Sequence, residues 1–93
     1  MHRIMHIEVI VMFVPMLDPV LVGKVIADFR KKSGLSQEVV SGLAGIGRSH
    51  LSAIERGERK PTLETFYRLC EAMNVKMSVV IKEIENEMEK LNS

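Results

Sequence analysis

Apolar residues recur at three- and four-residue steps through most of the chain and switch to alternate positions only near its start. Val22, Val25, Ile26 and Phe29 form one stripe, Val39, Val40, Leu43 and Ala44 a second, and Leu51 and Ile54 a short third. Leu63, Phe66, Leu69, Cys70 and Met73 make a fourth, and Val80, Ile81, Ile84, Met88 and Leu91 a fifth. That spacing fits helices with one buried face, so the pattern predicts five helices and a mainly all-α domain. Before them, Met5, Ile7, Val9, Val11 and Phe13 alternate with Ile4, His6, Glu8, Ile10 and Met12. This β-branched, period-two run predicts a strand ended by Pro15.

The polar positions punctuate the stripes. Asp18 before Pro19, Ser36 before Gln37 and Glu38, Thr62 before Leu63, and Ser78 in the last segment are expected N-caps, because a short side-chain oxygen can accept from the unpaired amides of a first turn. Ser33 and Gly34, Gly45 and Gly47 around Ile46, Gly57, and Asn74 are expected stops. Arg30, Lys31 and Lys32 lie where a helix dipole is negative, which is reason enough for all three. Tyr67 of the fourth helix could stack on or bond to a partner, but a lone tyrosine on such a helix is more often a core-edge residue.

The stretch from Leu35 to Gly57 thus becomes two short helices joined by a tight glycine-containing turn, the helix-turn-helix pattern. The second helix should begin near Arg48, with Arg48, Ser49, His50 and Ser52 close to its start and Glu55 and Arg56 before its stop. A helix entering a major groove by its N-terminus brings its first residues nearest the base edges. Arg48, Ser49, His50 and, one turn on, Ser52 or Ala53 are therefore the candidate base contacts. Arg48 has the clearest chemistry, since a guanidinium can donate two bonds to guanine O6 and N7, though it could equally grip a phosphate. Arg56, Arg59 and Lys60 are candidate phosphate contacts, which would position the domain without reading sequence.

The segments LSQ, AG, RSHLSAIERG and KPTLETFYRLCEAMNV resemble the Cro/repressor-type helix-turn-helix domain of prokaryotic and phage regulators, the XRE family, over roughly residues 20 to 84. The resemblance implies a five-helix, lambda-repressor-like DNA-binding domain. It implies a phosphate contact for Gln37 at the start of the preceding helix. It also implies a structural ion pair between Arg30 and Glu55, linking the first helix to the third. The chain departs from the family at Gly47, where a serine or threonine is usual. Glycine cannot supply a side-chain cap, at a cost of about a few tenths of a kcal/mol, and a phosphate contact is lost with the hydroxyl.

Ninety-three residues fit a single small domain, for which oligomerisation is a plausible aid to stability. The formal net charge of +1 hides a gradient. Arg48, Arg56, Arg59 and Lys60 outnumber Glu55 and Glu58 between residues 46 and 61, whereas Glu83, Glu85, Glu87 and Glu89 outnumber Lys82 and Lys90 after Ser78. A local basic surface suffices for a DNA footprint, so the near-neutral total does not argue against one. One cysteine, Cys70, cannot close an internal disulfide and reads as a buried thiol of a reducing compartment, the cytoplasm. No phosphate-binding glycine loop, activated nucleophile or paired-carboxylate cue suggests an enzyme, and no cofactor is expected. His2 and His6 share one strand face without a third ligand in view, so no metal is expected either.

Residues 1–16 are the least family-like part, preceding a helix-turn-helix domain over 17–93 with its C-terminal amphipathic helix. The apolar run is too short for a membrane span, which needs ~20 residues, and lacks the cleavage site of a signal peptide. It is expected either to pair with its equivalent in a second subunit or to be a non-native extension ahead of Met16. The functional expectation is a homodimeric regulator, a repressor or controller, that binds a pseudo-palindromic operator in double-stranded DNA. The alternative is an antitoxin or adaptor that uses the N-terminal strand and last helix to bind another protein.

Overall fold

A computed structural model describes residues 14–92, apart from the side chain of Asn92. The expected N-terminal strand, with His2 and His6, lies outside them. Five helices follow in order: α1 (Pro19–Lys32), α2 (Gln37–Ala44), α3 (Arg48–Glu55), α4 (Leu63–Ala72) and α5 (Met77–Asn92). This is the five-helix core that the pattern predicts.

Three of the expected caps form. The Asp18 carboxylate accepts from the Val20 amide, the Ser36 hydroxyl from that of Val39, and the Thr62 hydroxyl from that of Thr65. The fourth expectation is corrected. α5 begins at Met77, so Ser78 lies inside its first turn, and the amides of Val79 and Val80 reach the Lys76 carbonyl at 3.0 and 3.3 Å. Gly45 and Asn74 end their helices in the left-handed conformation, with φ of 71° and 56°. At Gly45 this lets the next amide, Ile46, return to the Ser41 carbonyl at 3.0 Å and keeps the α2–α3 turn short.

α1 packs on both α3 and α5, α2 packs on α3 and α4, and α4 packs on α5. Val25, Ile26, Val40, Leu51, Ile54, Leu69, Cys70 and Val80 meet where these helices face one another and are almost wholly buried. Each large side chain there contributes about 1.5–3 kcal/mol relative to exposure. Burial pushes the Cys70 thiol up to about 11, so it is a neutral core group at ordinary pH.

Several stripe residues face outward instead. Val39 and Leu43 of α2 are exposed while Val40 and Ala44 are buried, because α2 is covered on the side of α3 and α4 only. Leu63 is 73% exposed at the tip of α4, Ile81 and Leu91 stand on the open side of α5, and Tyr67 is exposed rather than at the core edge. Met88 packs partly against the core.

Candidate nucleic-acid interface

α3 is a two-turn helix whose inward face is Leu51 and Ile54, both fully buried. Successive residues turn by about 100°, so Ser49, Ser52 and Ala53 lie opposite those anchors, with Arg48 and His50 on the two flanks. Arg48 and Ser49 are exposed, and His50, Ser52 and Ala53 are half-buried. Of the five residues named from the sequence as base contacts, Ser49, Ser52 and Ala53 therefore share the outward surface and Arg48 and His50 border it on either side. The N-terminus of α3 is capped only through backbone: Gly47 makes no side-chain cap bond, and its carbonyl accepts from Leu51 at 3.1 Å.

The other end of α3 is fixed by many contacts. Arg30 of α1 donates from Nε to Glu55 Oε2 at 2.6 Å and from Nη2 to Oε1 at 3.0 Å. Its Nη1 donates to the Leu35 carbonyl at 3.0 Å, and Gln37 Nε2 donates to Glu55 Oε1 at 2.9 Å. Only 11% of the Arg30 side chain and 7% of that of Glu55 are exposed. The Arg30–Glu55 pair thus ties together α1, the α1–α2 loop, the start of α2 and the end of α3. The bond to Glu55 raises the Arg30 pKa above its already high ordinary value, with burial opposing it. The guanidinium is a permanent charge. In the free protein Gln37 belongs to this node, with one amide N–H committed to Glu55 and the second left for another acceptor.

Two glycines let the end of α3 sit close on α1. A Cβ on Gly23 would lie 2.2 Å from the Ile54 carbonyl oxygen and 2.8 Å from that of Glu55. A Cβ on Gly57 would lie 2.6 Å from Val20 Cα, and Gly57 also holds a φ of 78°. That left-handed turn brings the Gly57 and Glu58 amides back to the Ile54 and Ala53 carbonyls at 3.0 and 2.9 Å. Sequence reasoning took Gly57 as a stop and passed over Gly23. The available signal was a glycine inside a helix, a position that costs about 0.5–1 kcal/mol against alanine and calls for a packing reason.

Arg56, Arg59 and Lys60 follow on the exposed surface. Arg56 is engaged within the chain: Nε and Nη2 donate to the two oxygens of Glu58, each at 2.9 Å, and Nη1 donates to Ser52 Oγ. Both side chains of the Arg56–Glu58 pair are more than half exposed, so water screens it and its contribution to stability is small. The pairing holds the Glu58 carboxyl below its ordinary pKa and raises that of Arg56. Among the described residues no three His, Cys, Asp or Glu side chains come together, and no helix is long and apolar enough to cross a membrane.

The chain is similar to known helix-turn-helix regulators. It is 44% identical over 55 residues to the HTH-type transcriptional regulator y4dJ of Sinorhizobium fredii, covering 59% of this chain and 71% of that protein. It is 34% identical over 61 residues to the transcriptional regulator ClgR of Mycobacterium tuberculosis, a match that covers 66% of this chain but 54% of ClgR. Among solved structures it resembles the restriction-modification controller protein C.AhdI of Aeromonas hydrophila, with a TM-score of 0.66 and 31% identity over 70% of this chain and 98% of that one. The helix-turn-helix family HTH_3 matches residues 26–80, from the middle of α1 into α5 and across the whole of α2 and α3. By that match and by the way α3 is presented, the chain belongs to the XRE-type helix-turn-helix family of DNA-binding transcriptional regulators.

Proposed function

We propose that the protein is a homodimeric, sequence-specific regulator that inserts the N-terminal half of α3 into the major groove of double-stranded DNA. The observation that carries this reading is the outward surface of α3: Arg48 and Ser49 are exposed at the end that would meet the bases, on a helix anchored from behind by Leu51 and Ile54. Arg48 would donate to a guanine edge, and Ser49, His50, Ser52 and Ala53 would line the same approach. Arg59 and Lys60, Arg56 after exchanging Glu58 for phosphate, and the free amide N–H of Gln37 would grip the backbone. Removing Arg59 or Lys60 should weaken binding at every site and reduce the salt slope of log K by about 1 each.

Two such helices related by a twofold would meet groove faces one turn apart, roughly 34 Å, on a pseudo-palindromic operator. The distal apolar positions of α5, with Leu91 exposed, supply a surface for the second subunit. Similarity to a restriction-modification controller protein supports a controller or repressor that acts by occupying its site. Cytoplasmic residence and the absence of enzymatic activity follow from that role. The antitoxin or adaptor reading draws on the exposed Leu63, Ile81 and Leu91, which a protein partner could also cover. Selection of bound DNA from a random pool at moderate salt separates the two: an enriched palindrome supports the operator reading, and an unenriched pool leaves the adaptor.

A further inference from the structure

A serine in or beside a helix commonly spends its hydroxyl proton on a carbonyl of the preceding turn. Ser41 does so on Glu38 at 3.1 Å and Ser33 on Phe29 at 2.9 Å. Ser52, half-buried on the outward side of α3, does not. Among the described residues its hydroxyl donates to none and only accepts, from Nη1 of Arg56 one turn later. The other edge of that guanidinium is fixed too. Nε and Nη2 donate to the two Glu58 oxygens, each at 2.9 Å. The left-handed turn at Gly57 brings Glu58 alongside and returns its amide to the Ala53 carbonyl at 2.9 Å. A carboxylate, a guanidinium and a hydroxyl thus form one chain of bonds from the α3–α4 loop to the outward side of α3.

A hydroxyl has one proton and two lone pairs. Accepting from a cation polarises it, so that the proton becomes a better donor and the remaining lone pair a poorer acceptor. We propose that Arg56, steadied by Glu58, sets Ser52 as a hydrogen-bond donor and so makes α3 favour a base with an acceptor edge where Ser52 meets the groove. Guanine offers N7 and O6 there, adenine N7 and thymine O4, whereas cytosine offers only the N4 donor. Cytosine is the base this arrangement disfavours. The preference, which rests on the proposed insertion of α3 into the groove, lies one helical turn beyond the base met by Arg48. Arg56 is then a positioning residue as well as a backbone contact, because a phosphate can replace Glu58 on Nε and Nη2 while Nη1 keeps Ser52.

Random-pool selection with the full native chain supplies the site. Binding is then measured on duplexes carrying each base in turn at every half-site position, for the native, Ser52→Ala and Arg56→Met chains. At one position the native chain should disfavour cytosine by about 3- to 10-fold, the worth of a single net hydrogen bond. Both substitutions should abolish that penalty and leave the preference assigned to Arg48 in place. Arg56→Met should in addition weaken every duplex alike. Uniform weakening with the penalty intact would make Arg56 a phosphate contact only and overturn the proposal, as would a penalty that survives Ser52→Ala. Either result leaves the operator reading standing. A native chain that enriches no site would instead overturn that reading, and the role of Ser52 with it. In the DNA-free chain, the Arg56 Nε–H resonance should shift on Ser52→Ala and on Glu58→Gln, and an unmoved resonance in either would reject the chain of bonds.

Discussion

At its C-terminal end α3 is held by a buried bidentate ion pair, a hydrogen bond from the Gln37 side-chain amide and two close backbone approaches at Gly23 and Gly57. At its N-terminal end it has Gly47 without a side-chain cap and the exposed Arg48 and Ser49. The same eight-residue helix therefore divides its work along its length. The held end sets position and angle, and the open end is left with polar groups unspent on the protein itself. With Arg48 and Ser49 facing outward, a helix this short must draw its stability from elsewhere. Here that source is α1, through Val20, Gly23 and Arg30 on one of its faces.

The contrast can be broken at either end. Glu55→Ala should have the largest effect, about 3–5 kcal/mol in urea unfolding, because it strands a buried guanidinium. Glu55→Leu combined with Arg30→Met should recover much of that loss, since the cost lies in the unpaired charge. Gly23→Ala should cost about 2 kcal/mol in the same measurement, as the new methyl has to push back the Ile54 carbonyl against a small gain in helix propensity. Arg48→Ala should leave the unfolding midpoint unchanged while weakening operator binding by about 1–3 kcal/mol in fluorescence anisotropy. Gly47→Ser should be smallest, raising stability by about a few tenths of a kcal/mol through the missing cap. If that serine also strengthens DNA binding and steepens its salt dependence, the hydroxyl supplies the phosphate contact that glycine forgoes.

Much of this was legible before any coordinates. Asp18, Ser36 and Thr62 were readable as caps because a short acceptor ahead of an apolar stripe has one obvious local use. Ser78 misled because the same chemistry is present, yet the backbone had already turned helical at Met77, with the Lys76 carbonyl taking the first bonds. Val39, Leu43 and Leu63 fall in their stripes by period alone, and period cannot say which neighbouring helix arrives to cover each side. Gly23 depends on a helix 31 residues away in sequence, at Ile54, and nothing local announces that approach. For the interface, spacing put Ser49, Ser52 and Ala53 on the outward side of α3, with Arg48 and His50 at its two edges. What it could not supply was the state of two candidate phosphate contacts: Arg56 is held by Glu58, and the neutral amide of Gln37 is drawn into the Arg30–Glu55 node.

On the proposed reading, the open end of α3 contacts bases while its held end only positions it. Selection from a random DNA pool with the native chain and with Arg48→Ala, run side by side, tests it most directly. The native chain should enrich a pseudo-palindrome containing guanine in each half-site, and Arg48→Ala should lose the preference at that base while folding normally. The same enriched sequence from both chains, with affinity merely lowered throughout, would contradict base readout by Arg48 and leave it a phosphate contact.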